Sequence, residues 1–170
     1  MNTPLWVAIP VITLVVLATR ADVRSRTIPN RLTGPALLLG VAVRFALGGA
    51  PGAVDALFGA LLAGGLLFPG WLARFMGAGD VKLMAAVGAW LGHPGGLIAA
   101  VVALIAGGVI ALVVAIRYGV LLQALRNCAA LVTGLSRGPG RRPTPVTSGV
   151  RFPFAPAVLA GVVFVLLRQA

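Results

Sequence analysis

Only three residues of this 170-residue chain carry a negative charge, Asp22, Asp55 and Asp80, and the chain contains no Glu. Asp22 follows the first apolar run and begins the segment DVRSRTIPN, whereas Asp80 precedes a later run in the segment GAGDVK. An ionisable side chain is costly in or beside a membrane, so each of these acids is a candidate functional residue. If Asp22 and Asp80 meet in the folded chain, they form a carboxyl pair able to hydrolyse a peptide bond.

Hydrolysis by a carboxyl pair requires one carboxylate as general base on water and one protonated carboxyl as general acid. Two carboxyls a few ångströms apart hold a single shared proton, because ionising both is costly. The residues alone also allow a simpler interpretation. Asp80 is a suitable N-cap for the helix that follows it, and Asp22 is suited to a solvated loop in which it balances nearby Arg side chains.

Five residues beside the two acids are expected to bind substrate or support the site. Gly77 and Gly79 permit a close backbone approach directly before Asp80. Pro29 and Asn30 lie in a turn that ends one helix and begins the next, since a proline biases the residue before it towards an extended conformation. Lys82, the only Lys, is expected either to orient a substrate carbonyl or to hold a neighbouring loop.

The remaining polar residues predict no further chemistry. Asp55 is interpreted as an acid in the first turn of a helix, where the helix dipole favours a negative charge. His93 falls in the turn HPGG and is expected to be structural. Cys128 is the only Cys, which excludes an internal disulfide and a Cys-rich zinc site. The chain is therefore expected to use no metal and no cofactor.

The composition is that of a membrane protein. Hydrophobic residues make up 59% of the chain and charged residues 10%, whereas soluble domains contain about 25% charged residues. The net charge of +11 would suit a nucleic-acid-binding protein, but the basic residues lie mostly between apolar runs without interleaved aromatic side chains. This placement indicates membrane topology and contact with lipid headgroups rather than binding of nucleic acid.

The apolar runs predict an all-α, polytopic membrane protein that forms a single membrane-embedded domain over residues 1–170. Between the fifth and sixth spans, a stripe that includes Leu121, Leu125 and Cys128 predicts an amphipathic helix on the cytoplasmic face. The six transmembrane helices are expected at Leu5–Thr19, Leu32–Leu47, Ala53–Phe75, Val81–Leu91, Leu97–Ile116 and Phe152–Leu167.

The distribution of basic residues predicts the orientation. With six spans, every Lys and Arg except Arg44 and Arg168 falls on one side, which the positive-inside rule assigns to the cytoplasm. Both termini are then expected outside. Asp22 and Asp80 fall on the cytoplasmic side, and Asp55 falls on the opposite side.

At these residues the chain resembles the type IV prepilin leader peptidases, which are GxGD-type intramembrane aspartyl proteases. The matching segments are DVRSRTIPN from Asp22, GAGDVK from Gly77 and FPFAPA from Phe152, where Ala155 stands at a position usually occupied by Gly. The resemblance implies that Asp22 and Asp80 are the catalytic pair. It also implies a substrate, the basic leader of a prepilin followed by its hydrophobic helix, which is cut at the cytoplasmic face of the bacterial inner membrane.

The first residues already belong to an apolar run and Cys is rare, so the chain resembles the short, peptidase-only members of that family found in Flp or Tad pilus systems. It is therefore expected to lack N-methyltransferase activity. The alternative is a non-catalytic membrane transporter or a subunit of a secretion assembly, whose acids would bind a proton or an ion. Against this alternative, both acids are predicted at the membrane edge, whereas transporter sites favour the midplane.

Overall fold

The protein is all-helical in the part of the chain that the structure, a computed structural model, describes. That part comprises residues 5–25, 27–72, 76–117, 119 and 154–169, and it contains no strand. The prediction of an all-α fold is confirmed. The helices are α1 (Leu5–Ser25), α2 (Asn30–Leu72), α3 (Ala78–Arg117) and α4 (Ala155–Gln169).

The two long helices are each interrupted once at a glycine with positive φ. Gly49 has a φ of 61° and divides α2 into arms of residues 30–48 and 50–72. Gly92 has a φ of 76° and divides α3 into arms of residues 78–91 and 93–117. Glycine adopts this left-handed conformation without steric cost. A proline stands two residues after each break, where it suits the start of a new helix.

The arms pack through close backbone contacts at small residues. A Cβ added to Gly59 would lie 2.3 Å from the Gly88 carbonyl oxygen, and one added to Gly64 would lie 3.0 Å from the Ala85 Cβ. These two contacts show that residues 50–72 and 78–91 run antiparallel. Such glycine contacts are typical of helices in membranes, where close van der Waals packing drives helix association.

The C-terminal end of α1 lies beside the start of α3 and the start of α4. α1 packs along α4. α4 in turn packs on the second arm of α3, since a Cβ at Gly161 would lie 2.3 Å from the Ala99 carbonyl oxygen and one at Gly107 would meet the Phe154 ring. This packing places the start of α4 beside the C-terminal part of α1.

The chain divides into two compact units. The first comprises Met1–Gly107 together with Pro153–Ala170, and the second comprises Gly108–Phe152. All of the candidate site residues belong to the first unit. In the second, the described residues are the helical stretch up to Arg117 and Gly119. The predicted amphipathic helix between spans five and six lies outside the described residues, and the single domain over residues 1–170 stays a prediction.

Three of the described helices are long and apolar enough to cross a membrane: Trp6–Ser25, Asn30–Leu72 and Ala78–Arg117. These helices are those of a membrane protein, and the number of six spans stays a prediction. The described helices begin or end a few residues away from the predicted spans, and the largest difference is at the end of α1. The first helix does not end at Thr19 but continues to Ser25, so that Asp22 lies within the helix rather than in a loop.

Candidate active site

Asp22 lies one turn before the end of α1 and is buried, with 7% of its surface exposed. Its Oδ2 accepts a hydrogen bond of 3.1 Å from the backbone N–H of Ala155, the first residue of α4. The end of α1 is stabilised locally, because the Ser25 hydroxyl donates to the Ala21 carbonyl at 2.8 Å. Asp22 is therefore held at the junction of two helices and is not a solvated loop acid.

Asp80 is the third residue of α3 and is also buried, with 8% of its surface exposed. Its Oδ2 accepts a hydrogen bond from the Gly77 N–H at 3.0 Å, and its own N–H donates to the Gly77 carbonyl at 3.1 Å. This is the reciprocal pattern in which a third-position side chain bonds back to the residue that precedes the helix. Asp80 therefore stabilises the start of α3 without occupying the N-cap position itself.

The structure places these two carboxyls on neighbouring segments of the fold. Asp22 and Asp80 lie near enough for the charge of one to act on the other. The segments that carry them also touch, since the backbone at Gly79 packs against Ile28, where an added Cβ would lie 3.1 Å from the Ile28 Cβ. Among the described residues, only Asp22, Asp80 and Thr33 are buried polar or charged residues. Both acids of the pair are therefore among the few buried polar residues described.

The other predicted supporting residues join the α1–α2 turn to α3. Lys82 Nζ donates a hydrogen bond of 2.9 Å to Asn30 Oδ1, and both side chains are exposed. The Pro29 carbonyl accepts the N–H of Leu32 at 3.0 Å and so begins α2. Within the described ranges, no hydrogen bond of these residues reaches either carboxyl of the pair. Their observed contacts hold the neighbouring loop, which is one of the two roles expected for Lys82.

The third acid, Asp55, forms a separate cluster with Arg44 and His93. This far-end cluster lies at the opposite end of the α2 and α3 arms from Asp80. Asp55 Oδ2 pairs with Arg44 Nη1 at 2.6 Å, and its Oδ1 lies 2.5 Å from His93 Nδ1 and accepts the His93 backbone N–H at 3.2 Å. Arg44 also donates from Nε and Nη2 to the Trp90 carbonyl, at 3.1 and 2.9 Å.

The position of the far-end cluster explains its composition. The break at Gly92 leaves the Trp90 carbonyl and the His93 N–H without intrahelical partners, and in a membrane such groups must be satisfied by protein. Arg44 satisfies the carbonyl and Asp55 the N–H. The cluster is also distant from the carboxyl pair, since Asp80 and Trp90 are about 15 Å apart along α3 at 1.5 Å per residue. This geometry agrees with a structural role for Asp55, but the arm begins at residue 50, so Asp55 lies in its second turn rather than in the predicted first turn.

An open cleft adjoins the far-end cluster and is mostly apolar. It is lined by Pro51, Val54, Asp55, Phe58 and His93. Both Asp55 oxygens are already bonded to protein groups, which leaves no free carboxylate to activate water. Within the described residues, acid–base hydrolysis is therefore better supported at Asp22 and Asp80 than at this cleft.

Two features of the site were not assigned from the sequence. The Ala155 N–H that bonds Asp22 is a backbone group, and its only sequence signal is its place in the segment FPFAPA. The second feature is the Thr19 hydroxyl, one turn before Asp22, which is buried and has no hydrogen-bond partner among the residues described. Residues three apart on a helix share a face, so this hydroxyl lies on the same side of α1 as the Asp22 carboxyl.

Comparison with known proteins identifies the family. No curated protein and no solved structure matches the chain. The sequence model of the type IV leader peptidase family matches residues 9–112, a range that includes both members of the carboxyl pair and all five predicted supporting residues. The match covers more than half of the chain, and the chain therefore belongs to the type IV leader peptidase family.

Proposed function

We propose that this protein is an aspartic endopeptidase of the bacterial inner membrane that removes the basic leader from type IV prepilins, with Asp22 and Asp80 as its catalytic residues. The observation that carries the proposal is that both carboxyls are buried, on different helices, beside segments that touch where Gly79 packs against Ile28. Membership of the type IV leader peptidase family supports the substrate class. No other two acids in the described residues are paired in this way.

The chemistry requires the two carboxyls to hold one proton between them. The ionised carboxyl removes a proton from water as the water oxygen bonds to the scissile carbonyl carbon, and the π pair of the C=O bond moves onto the carbonyl oxygen until the double bond re-forms with loss of the amine. The protonated carboxyl then transfers its proton to the leaving amine nitrogen, and the C–N bond breaks. The Ala155 and Gly77 N–H groups each bond one oxygen of a carboxyl, which fixes the orientation of both acids before substrate arrives.

The broken helices support a topology of six spans. The arms of α2, residues 30–48 and 50–72, are about 28 and 34 Å long at 1.5 Å per residue, close to the thickness of a hydrocarbon core. A Cβ at Gly52 would lie 2.2 Å from the Arg44 carbonyl oxygen, which indicates a tight reversal after residue 48. In the proposed topology the carboxyl pair faces the cytoplasm, and both termini lie outside.

The substrate is then the short basic leader together with the hydrophobic helix of the prepilin, which approaches through the lipid. Cleavage takes place where that helix meets the cytoplasmic face, at the depth of Asp22 and Asp80. We further propose a pilus of the Flp or Tad type as the setting, on the basis of the sequence resemblance given above.

The test is co-expression with a prepilin, followed by measurement of the pilin mass. The parent protein is expected to yield the mature pilin, whereas Asp22→Asn and Asp80→Asn are expected to accumulate in the membrane and leave the leader attached. Asp55→Asn is the matched control, because it removes the third acid from the far-end cluster, and its cleavage is expected to stay within about twofold of the parent. Normal processing by Asp22→Asn or Asp80→Asn would contradict the assignment of that residue, and the mature mass also reports whether the new N-terminus is methylated.

A further inference from the structure

The hydrogen bond to Asp22 comes from the first residue of α4. The Phe154 carbonyl accepts the N–H groups of Ala157 and Val158, at 2.9 and 3.3 Å, so Phe154 occupies the N-cap position and Ala155 the first helical position. The first N–H groups of a helix have no partner within the helix. The Ala155 N–H is therefore free to donate to a side chain, and it donates to Asp22 Oδ2.

The N-terminal end of α4 is held in place by the Phe154 side chain. Phe154 is buried, and its ring lies directly against the backbone of α3 at Gly107, where an added Cβ would lie 2.4 Å from Phe154 Cε2. Two turns further along α4, the backbone at Gly161 lies equally close to the Ala99 carbonyl. α4 is thus fixed on α3 at two points, and one of them directly adjoins the residue that bonds Asp22.

We propose that Ala155 and Phe154 are positioning residues of the carboxyl pair: the Ala155 N–H fixes the orientation of the Asp22 carboxyl, and the Phe154 ring, seated on Gly107, fixes the position of that N–H. The proposal rests on the proposed function of Asp22 and Asp80. A carboxyl rotates readily about its terminal torsion angle. The bond from the Ala155 N–H to Oδ2 restrains this rotation and leaves Oδ1 as the oxygen that does not accept the Ala155 N–H.

The first experiment removes the Ala155 backbone N–H and leaves the side chains of Asp22 and Asp80 unchanged. Ala155→Pro removes the N–H and places the ring Cδ where the hydrogen pointed, and proline is well tolerated at the first position of a helix. Ala155→Gly is the matched control, because it keeps the N–H. We expect kcat to fall about 10- to 100-fold in Ala155→Pro, the range of a hydrogen bond to a charged group. KM should change little, and Ala155→Gly should resemble the parent.

A spectroscopic measurement separates this proposal from the proposed function. Because the chain holds only three Asp and no Glu, aspartate labelled with ¹³C at the side-chain carboxyl gives three signals, which the three Asp→Asn variants assign. Ala155→Pro should move the Asp22 signal and leave the Asp55 signal in place, and Ala155→Gly should move neither. If the parent cleaves no prepilin but the Asp22 signal moves, the proposed function fails and the contact stands. An unchanged Asp22 signal and an unchanged kcat in Ala155→Pro would overturn the positioning role.

A second pair of variants tests whether the contact of the Phe154 ring with Gly107 fixes the position of the Ala155 N–H. This pair tests the positioning role even if Ala155→Pro does not fold. Gly107→Ala places a methyl group against the Phe154 ring and should lower kcat and move the Asp22 signal. Phe154→Leu shortens that side chain, so the double variant should recover both the parent signal and most of the lost kcat. A double variant that is no better than Gly107→Ala would overturn the role of the Phe154 ring. Gly65→Ala is the control for a methyl group on a helix, since no described atom lies within 4 Å of its Cβ.

Discussion

Replacement of Asp55 tests whether this acid is structural, in contrast to the catalytic role proposed for Asp22 and Asp80. Asp55→Ala removes every contact that joins this residue to Arg44 and His93 in the far-end cluster, including the 2.6 Å ion pair and the 3.2 Å bond from the His93 N–H. Asp55→Asn removes the charge and keeps a side-chain oxygen that can still accept the His93 N–H. The two variants therefore distinguish the contribution of the charge from that of the hydrogen bond.

The magnitude of the effect follows from the burial of the pair. The Arg44 and Asp55 side chains are 22% and 28% exposed, so the pair lies between an exposed ion pair, worth about 0–1 kcal/mol, and a fully buried one, whose disruption costs about 3–5 kcal/mol. Arg44 keeps the Trp90 carbonyl as a partner, which moderates the loss. We expect Asp55→Ala to lower the free energy of unfolding by about 2–3 kcal/mol. Asp55→Asn should lower it by about 1 kcal/mol, because the bond to the backbone remains.

The assay combines denaturant unfolding of the purified protein in detergent with cleavage of a prepilin at a temperature where each variant is folded. Both Asp55 variants should show reduced stability and nearly unchanged kcat. Asp22→Asn should show the opposite pattern, with retained stability and no cleavage. The reasoning would be refuted if Asp55→Ala lost cleavage while its free energy of unfolding matched the parent, because Asp55 would then take part in the reaction. Equal destabilisation by the Ala and Asn variants would show that the charge, rather than the backbone bond, stabilises the break at Gly92.

Two further predictions concern contacts between α2 and α3. Lys82→Met removes the exposed 2.9 Å bond to Asn30, which is worth about 1 kcal/mol, so kcat/KM for prepilin cleavage should fall less than about tenfold; a loss of a thousandfold would instead show that Lys82 contacts the substrate. Gly59→Ala places its Cβ 2.3 Å from the Gly88 carbonyl oxygen and should lower the free energy of unfolding by about 1–3 kcal/mol through overpacking. Gly65→Ala, whose Cβ meets no described atom within 4 Å, should be neutral or slightly stabilising in the same denaturation experiment.

The sequence predicts much of the helical architecture, because apolar runs and helix-breaking residues follow from local chemistry. Gly49 and Gly92 end helices where the sequence has a glycine followed two residues later by proline, and both lie between predicted spans. The end of α1 was predicted less well. Arg20 and Arg24 made the segment after Thr19 resemble a loop, yet the helix continues because long basic side chains are good helix formers and extend their charged ends towards water. Hydropathy locates apolar segments, and it does not by itself locate helix ends.

The site shows a sharper limit of sequence reasoning. Asp22 and Asp80 stand out by their rarity, since an uncompensated acid in an apolar chain is costly and its type alone is informative. The donor that holds Asp22 has no such signal: every residue except proline has a backbone N–H, and Ala155 is separated from Asp22 by 133 positions. Only the packing of α4 on α1 and α3 selects that N–H from all others. A third acid with the same rarity, Asp55, has a different role because the fold supplies it with Arg44 and His93. The rarity of acids therefore identifies Asp22, Asp55 and Asp80 as candidates. The partners that each acid contacts in the folded chain then distinguish an acid that is available for catalysis from one that is bonded in a structural cluster.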